Sequence, residues 1–436
     1  MLELRLSTVP PDEQRGFDFL NEVPIGCCCV GEDAAVQLAD MAAARCGKKA
    51  FVLSDRNTRA AAGEAPYEAL GRAGKKVTEH VYPADPIDAS DKLAADVAVK
   101  GMDADFFVAV GSGSICDLAK SAGSSLGKPV LLYGTAASMN GYTSSIVALK
   151  VRGLKRTLPC APALGVFADP RVLATAPQRM TAAGVADFLS KCSSTTDWHA
   201  AHHLRGGDYS DRPRRIVDGI QQRIFDQAKN IGRGTPEGAA LVMEALLLSG
   251  FGMVLAGSSA PASGGEHLIS HYVDMKHALY GTPNDLHGTQ VGIGTLYALE
   301  LWEKLLAMDA DAIDPASLAD RHLSQDAIHK NVLKDWGKKV GKEVWEQWSE
   351  KALDRMGLVQ EIALFKEKLP MLREALADDL RPAAAVAQCI ADSGGPIRAE
   401  DTLADPLEFE RAKRGARYIR NRFTVLDLAA EAGIAP

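Results

Sequence analysis

The first 170 residues alternate short apolar runs with helix-length amphipathic stretches, and the rest of the chain does not. Ala50-Phe51-Val52-Leu53, Val77–Tyr82, Asp105–Val110, Pro129–Tyr133 and Leu164–Ala168 have the length and the β-branched or aromatic content of strands. Helical patterns lie between them, for instance over Glu32–Ala44 and Ala89–Lys100. Parallel strands need a crossover of helix length, so this alternation predicts an α/β fold with a parallel sheet covered on both faces. Ser144 to Pro159 interrupts it with two alternating runs about an Arg152-Gly153 turn, which predicts a β-hairpin flap projecting from the sheet. From Pro177 onward the periodicity is almost wholly helical, as in Leu296–Met308, Lys338–Lys351 and Leu407–Ala432. A boundary near Asp169-Pro170 therefore divides an α/β domain, residues 1–170, from an all-helical domain, residues 171–436.

Composition narrows the function classes. A formal charge of −7 argues against nucleic acid or an anionic membrane as the main partner. The cysteines form no CxxC pair and sit in apolar runs such as Cys27-Cys28-Cys29, the usage of buried, reduced thiols in a cytoplasmic protein. The opening MLELRLSTVPPDEQRG mixes charges throughout and has no apolar core of a signal peptide. Ala239 to Gly257 is apolar for about the length of a membrane span. Glu244 falls inside it and no basic anchors flank it, while Thr235 and Pro236 supply a cap and a first turn, so a buried central helix is expected.

Ser263 to Gly288 holds histidines that one site can use. His267 and His271 stand four apart and share a helix face, and His287 follows the turn signal Gly281-Thr282-Pro283-Asn284, arriving from a second element. Imidazoles from separate elements plus a carboxylate suit a divalent metal with an open position. Asp187 is expected in the first turn of a helix running through Ser190-Lys191 to Asp197-Trp198-His199, where favourable dipole chemistry is an alternative reading.

The strand Asp105–Val110 runs into Gly111-Ser112-Gly113-Ser114 and then a helix, Ile115–Leu126. Backbone N–H groups at such a junction face an anion and suit a dinucleotide pyrophosphate, although a structural turn reads equally well because the third glycine of GxGxxG is missing. The next strand ends in Gly134-Thr135-Ala136-Ala137-Ser138, also small and hydroxyl-rich. Loops at the carboxyl ends of neighbouring strands form the ligand crevice of open α/β sheets. Asp55, ending an earlier strand, is placed to accept hydrogen bonds from an adenosine ribose, and Arg56 beside it leaves a 2′-phosphate tolerable.

In order along the chain, GSGSICDLAK, TAASMNGYTS, FADPRVLATAPQRMTAAGVADFLSK, GGEHLISH, LHGTQVGIG and RNRFTVLDLAAEAGI resemble the iron-containing alcohol dehydrogenase and dehydroquinate synthase superfamily, nearest its sn-glycerol-1-phosphate dehydrogenase branch. The resemblance implies a dinucleotide-binding domain followed by a helical one, and a metal held by Asp187, His267 and His287, usually zinc, with nickel or iron in relatives. It implies NAD or NADP contacts at Gly111, Ser112, Gly113, Ser114, Ile115, Thr135, Ala136, Ala137, Ser138 and Ser144. Asn140, Asp187 and His271 fall on substrate-contacting positions, with His271 the candidate proton relay. The implied activity is hydride transfer on a small polyol phosphate or its ketone, dihydroxyacetone phosphate and glycerol 1-phosphate being the first choice. The expected assembly is a homo-oligomer, with a small molecule as the partner. A polyol reductase is the rival reading. A dehydroquinate synthase-type lyase, with glutamate in its metal set where this chain has Asp187, and a non-catalytic cofactor binder are less favoured. Two residues depart from the pattern: Asn140 replaces an aspartate and Thr289 a glutamate, which bears on the substrate and leaves the metal ligands intact.

Overall fold

The protein is described by a computed structural model covering residues 3–10, 13–14, 17, 22–83, 87, 89–151 and 154–435. The chain forms two compact units, and the first is assembled from Met1–Phe188, Arg212–Ser258 and Cys389–Gly395. Its strands are β1 (Glu3–Leu6), β2 (Cys27–Val30), β3 (Lys49–Asp55), β4 (Lys76–Tyr82), β5 (Phe106–Gly111), β6 (Val130–Gly134), β7 (Ile146–Val151), β8 (Leu154–Pro159) and β9 (Gly165–Ala168). They make a seven-stranded sheet in the order β1-β2-β9-β6-β5-β3-β4 and a separate β7-β8 pair. Every ladder of the larger sheet is parallel.

The apolar runs read from the sequence all become strands, within a residue or two at each end. β5 and β6 are buried along their whole length, which is why they read as continuous apolar runs without alternation. β1 and β2 add to the predicted set. Cys27, Cys28 and Cys29 form most of β2 and are buried, and burial pushes the Cys27 and Cys29 thiols up to about 12.

The hairpin is found where expected, and its Arg152-Gly153 turn lies outside the described residues. It is anchored to the helix Gly113–Ser125, because Ala148 N–H donates to Asp117 and the buried Lys120 ammonium donates to the carbonyls of Gly141, Ser144 and Ile146.

The apolar segment forms the helix Pro236–Ala256, the one described helix long and apolar enough to cross a membrane, and 83% of its most apolar window is buried inside the structure. Thr235 caps it, accepting from Gly238 N–H at 3.1 Å. Glu244 sits on this helix with no exposure, and its carboxylate accepts from the backbone and hydroxyl groups of Ser7 and Thr8. Burial raises its pKa despite those bonds. This charge therefore locates the chain just after β1.

The second unit comprises Leu189–Asp211, Ser259–Gln388 and Pro396–Pro436, and its described residues hold helices and no strand. The long helical pattern over Leu407–Ala432 is broken in the structure into Pro406–Gly415, a 3-10 turn at Ala416–Tyr418 and Val425–Glu431. The side chain of Asp427, in the first turn of the last helix, accepts from Thr424 N–H at 3.0 Å, so a new N-terminus forms inside the periodic run.

Replacing Glu244 with leucine leaves the Ser7 and Thr8 donors without their acceptor. Because those donors lie near the surface and can turn to water, Glu244→Leu should lower stability by about 2 kcal/mol. Chemical denaturation checks this, and an unchanged midpoint would refute it.

Candidate active site

Order in the sheet decides which loops meet. The chain moves outward from β3 to β4 and then crosses to the other side of β3 for β5. The carboxyl ends of β3 and β5 therefore flank the point where strand order reverses, the ligand crevice of open α/β sheets. Asp55 stands at the end of β3, but its carboxylate already caps the helix Arg56–Ala62, accepting from Asn57 and Thr58 N–H at 2.8 and 2.9 Å.

At the end of β5, Gly111 and Gly113 are bare for different reasons. A methyl group on Gly111 would lie 2.6 Å from Ile115 Cβ, so the fold itself requires glycine there. One on Gly113, the first residue of the helix Gly113–Ser125, would meet nothing nearer than Met139 Cγ at 3.8 Å. Packing does not demand a glycine at Gly113, whereas close approach of a ligand to the helix N-terminus would. Ser112 and Ser138 join this loop to the next by a 2.7 Å hydrogen bond between their hydroxyls, and Thr135 N–H donates to the Gly111 carbonyl. The two predicted cofactor loops are thus brought together. Ser144, after the second loop, is buried, and its hydroxyl donates to the Gly141 carbonyl.

Asp187 is not in a first turn as the sequence suggested. It lies in the last turn of the helix Gln178–Leu189, and a separate helix, Lys191–Arg205, starts after Ser190. Ser190 keeps helical angles (φ −56°, ψ −18°), so the break leaves little trace in the apolar periodicity. Three residues before Asp187, Gly184 lets its helix pack on the second loop; a side chain there would collide with the Ala137 carbonyl. The buried Asp187 carboxylate accepts from Asn140 N–H at 3.0 Å, while the Asn140 side-chain amide approaches Ser249 Oγ at 3.5 Å.

In the second unit the three histidines come together. His267 and His271 share one face of the helix Gly265–Tyr280, and His287 is the first residue of the helix His287–Leu306. Ring centroids are 5.2 Å apart for His267 and His287, 5.9 Å for His271 and His287, and 6.2 Å for His267 and His271. The linking loop is pinned at both ends of its turn, because the Pro283 carbonyl accepts from Asp405 N–H and Asp285 accepts from Leu403 N–H. Thr289 is buried two residues into the His287 helix.

Two residues that the sequence did not single out support this cluster. Glu266 is fully buried, and its carboxylate meets His267 Nδ1 at 2.8 Å while accepting from Gly264 N–H and Ser193 Oγ–H. Burial alone would raise its pKa, but the bonds from His267, Gly264 and Ser193 outweigh burial and hold it below the ordinary value. Asp197 accepts from Gly265 N–H at 2.7 Å, Trp302 Nε1–H at 2.8 Å and Val425 N–H at 3.1 Å. Complete burial and the nearby Glu266 charge push its pKa well above the usual carboxylate range. Gly294 completes the packing, since a methyl group there would lie 2.5 Å from the Glu266 carbonyl oxygen.

Over residues 29–177 the chain matches the family model of iron-containing alcohol dehydrogenases. Among solved structures, the alcohol dehydrogenase of Oenococcus oeni aligns over 94% of this chain and 98% of its own, with a TM-score of 0.59 at 16% identity. The fold is that of the iron-containing alcohol dehydrogenases, with a parallel α/β part and a helical part. The glycerol-1-phosphate dehydrogenase (NAD(P)+) of Bacillus velezensis is 32% identical over 304 residues, covering 68% of this chain and 77% of that protein. Its counterpart from Bacillus subtilis is 31% identical over 348 residues, covering 77% and 88%. The chain belongs to the glycerol-1-phosphate dehydrogenase branch of the iron-containing alcohol dehydrogenase family, and is an oxidoreductase.

The contrast between the loop glycines is testable by stability alone. Gly113→Ala should melt within about 2 °C of the wild type, since its new methyl group makes only ordinary contact with Met139, whereas Gly111→Ala should lose about 1–3 kcal/mol through overpacking. Equal losses in the two variants, read by thermal denaturation, would show that Gly113 is also a packing glycine.

Proposed function

We propose that this chain is a metal-dependent, NAD(P)-linked oxidoreductase that interconverts dihydroxyacetone phosphate and sn-glycerol 1-phosphate. The observation that carries the reading is the histidine cluster with its supporting contacts. His267 Nδ1 meets a carboxylate and His287 Nδ1 meets the Ser270 hydroxyl at 3.1 Å, so in both rings Nε2 is the nitrogen that would coordinate a cation. Imidazole nitrogens braced in this way, together with the Asp187 carboxylate, are a donor set that fits zinc, nickel or iron. The names of the relatives supply the substrate and cofactor part of the reading.

Asp187, His267 and His287 would hold a divalent cation, which would supply Lewis acidity toward the oxygen of the reacting carbon and an adjacent hydroxyl, and a nicotinamide would carry the hydride. The chain's own residues do the rest. Residues 1–170 form the cofactor domain, in which the bare Gly113 and the loops Gly111–Ile115 and Thr135–Ser138 accommodate the dinucleotide phosphates. Residues 171–436 provide the histidines. His271 shares a helix face with His267 and serves as the proton relay to the substrate oxygen. Asn140, tied to Asp187 through its backbone, orients a substrate hydroxyl with a neutral amide where relatives of the predicted pattern use a carboxylate.

The deciding experiment measures NADH and NADPH oxidation with dihydroxyacetone phosphate and with dihydroxyacetone, in protein loaded with zinc, nickel or iron. Turnover of the phosphate well above that of the free ketose is expected; equal or greater activity on dihydroxyacetone would make this a polyol reductase. Asp187→Ala, His267→Ala and His287→Ala should each lose most bound metal and activity, and His271→Ala should keep the metal and lose turnover. An Asp187→Ala protein with stoichiometric metal and full activity would overturn the ligand assignment.

The substitution at position 140 gives a second test. A charge-assisted hydrogen bond contributes roughly 1.5–3 kcal/mol against about 1 for a neutral one. Asn140→Asp should therefore raise kcat/KM for dihydroxyacetone phosphate by about 10-fold. Low activity in both forms would exclude this substrate.

A further inference from the structure

We propose that Glu266 is a positioning residue for the metal site: by accepting the Nδ1 proton of His267 it fixes that ring's tautomer and orientation and raises the basicity of Nε2. The inference rests on the metal reading above and extends it to a residue outside the ligand set.

Adjacent residues on a helix point about 100° apart, so a Glu266–His267 contact at 2.8 Å does not follow from helix geometry. It arises because Glu266 lies in the first turn of the helix Gly265–Tyr280 and bends back toward its N-terminus. There Oε1 accepts both Gly264 N–H, at 2.7 Å, and the imidazole, while Oε2 accepts the Ser193 hydroxyl at 2.8 Å. The carboxylate is thus held at three points and is fully buried. Position and charge combine: the helix N-terminus favours the anion, and the anion faces the ring rather than solvent. His287 has a different support, since its Nδ1 meets the neutral Ser270 hydroxyl, to which Gln290 also donates. The carboxylate therefore acts on one ring of the pair, His267.

A carboxylate behind a ligating imidazole contributes to metal affinity without touching the metal, and its loss costs about 10–100-fold in binding. Glu266→Gln keeps the shape and one acceptor oxygen but removes the charge. Its zinc affinity, measured on the full chain by competition with a chromogenic chelator, should fall about 10–100-fold while the metal-free melting temperature stays within a few degrees. A structural role alone would lower that melting temperature and leave affinity unchanged. A folded Glu266→Gln protein with wild-type zinc affinity overturns the proposal.

If that variant does not fold, long-range 15N–1H NMR of histidine-labelled, metal-free wild-type protein decides the matter. His267 should show the Nδ1–H tautomer, and an Nε2–H tautomer overturns the proposal. Ser193→Ala, which removes one anchor of the carboxylate, should give a smaller loss of zinc affinity. Failure of the underlying reading looks different, because wild-type protein would then bind zinc no better than His267→Ala.

Discussion

The second unit depends on one buried carboxylate. Asp197 binds the backbone N–H at the start of the Gly265–Tyr280 helix, the Trp302 indole on the His287–Leu306 helix and the backbone N–H that opens Val425–Glu431, and it lies on a fourth helix, Lys191–Arg205. Buried donors and acceptors must be paired, and here a single side chain pairs three donors from three elements. The helices carrying His267, His271 and His287 are therefore held by the same group. The Glu266 charge next to Asp197 is tolerable because each carboxylate has its own donors.

In the first unit the equivalent control is steric. The proposed cofactor loops occupy the carboxyl ends of β5 and β6, and each is fixed by a place where only hydrogen fits. Gly111 accommodates Ile115 beneath the first loop, and Gly184 accommodates the Ala137 carbonyl beneath the second. The same contact brings Asp187, one turn further along the helix, to the Asn140 backbone. The position of a proposed metal ligand and the shape of a proposed cofactor loop thus depend on one glycine.

Fold class was legible because hydrophobic period changes with secondary structure. β3, β4 and β5 lie between helical segments, and they, β6 and β9 carry β-branched and aromatic residues that suit a pleated surface. β1 and β2 escaped because Glu3–Leu6 alternates charges with leucines and Cys27–Val30 is mostly cysteine, so neither is rich in those residue types. The break at Ser190 escaped because the residue stays helical, so Asp187 was assigned to the start of one helix when it ends another. The histidines were legible from i, i+4 spacing and a turn signal. Their supports were not, since Glu266 adjoins His267 in sequence and no periodicity rule brings neighbours on a helix into contact. Asp197 lies 68 residues from its nearest-bonded partner Gly265, a separation that pattern alone does not span.

The interleaving of the two units bears on how the chain is made. The first unit takes in Cys389–Gly395, where the Gln178 amide donates to the Ser393 carbonyl at 3.1 Å as well as to that of Ile231. The first 388 residues are therefore synthesised before the last piece of the sheet-bearing unit exists. Its parallel strands, paired out of sequence order, already make it a slow folder by topology. During synthesis the apolar helix Pro236–Ala256 emerges long before that closing segment, so its transit is a period of exposure to chaperones and to other nascent chains.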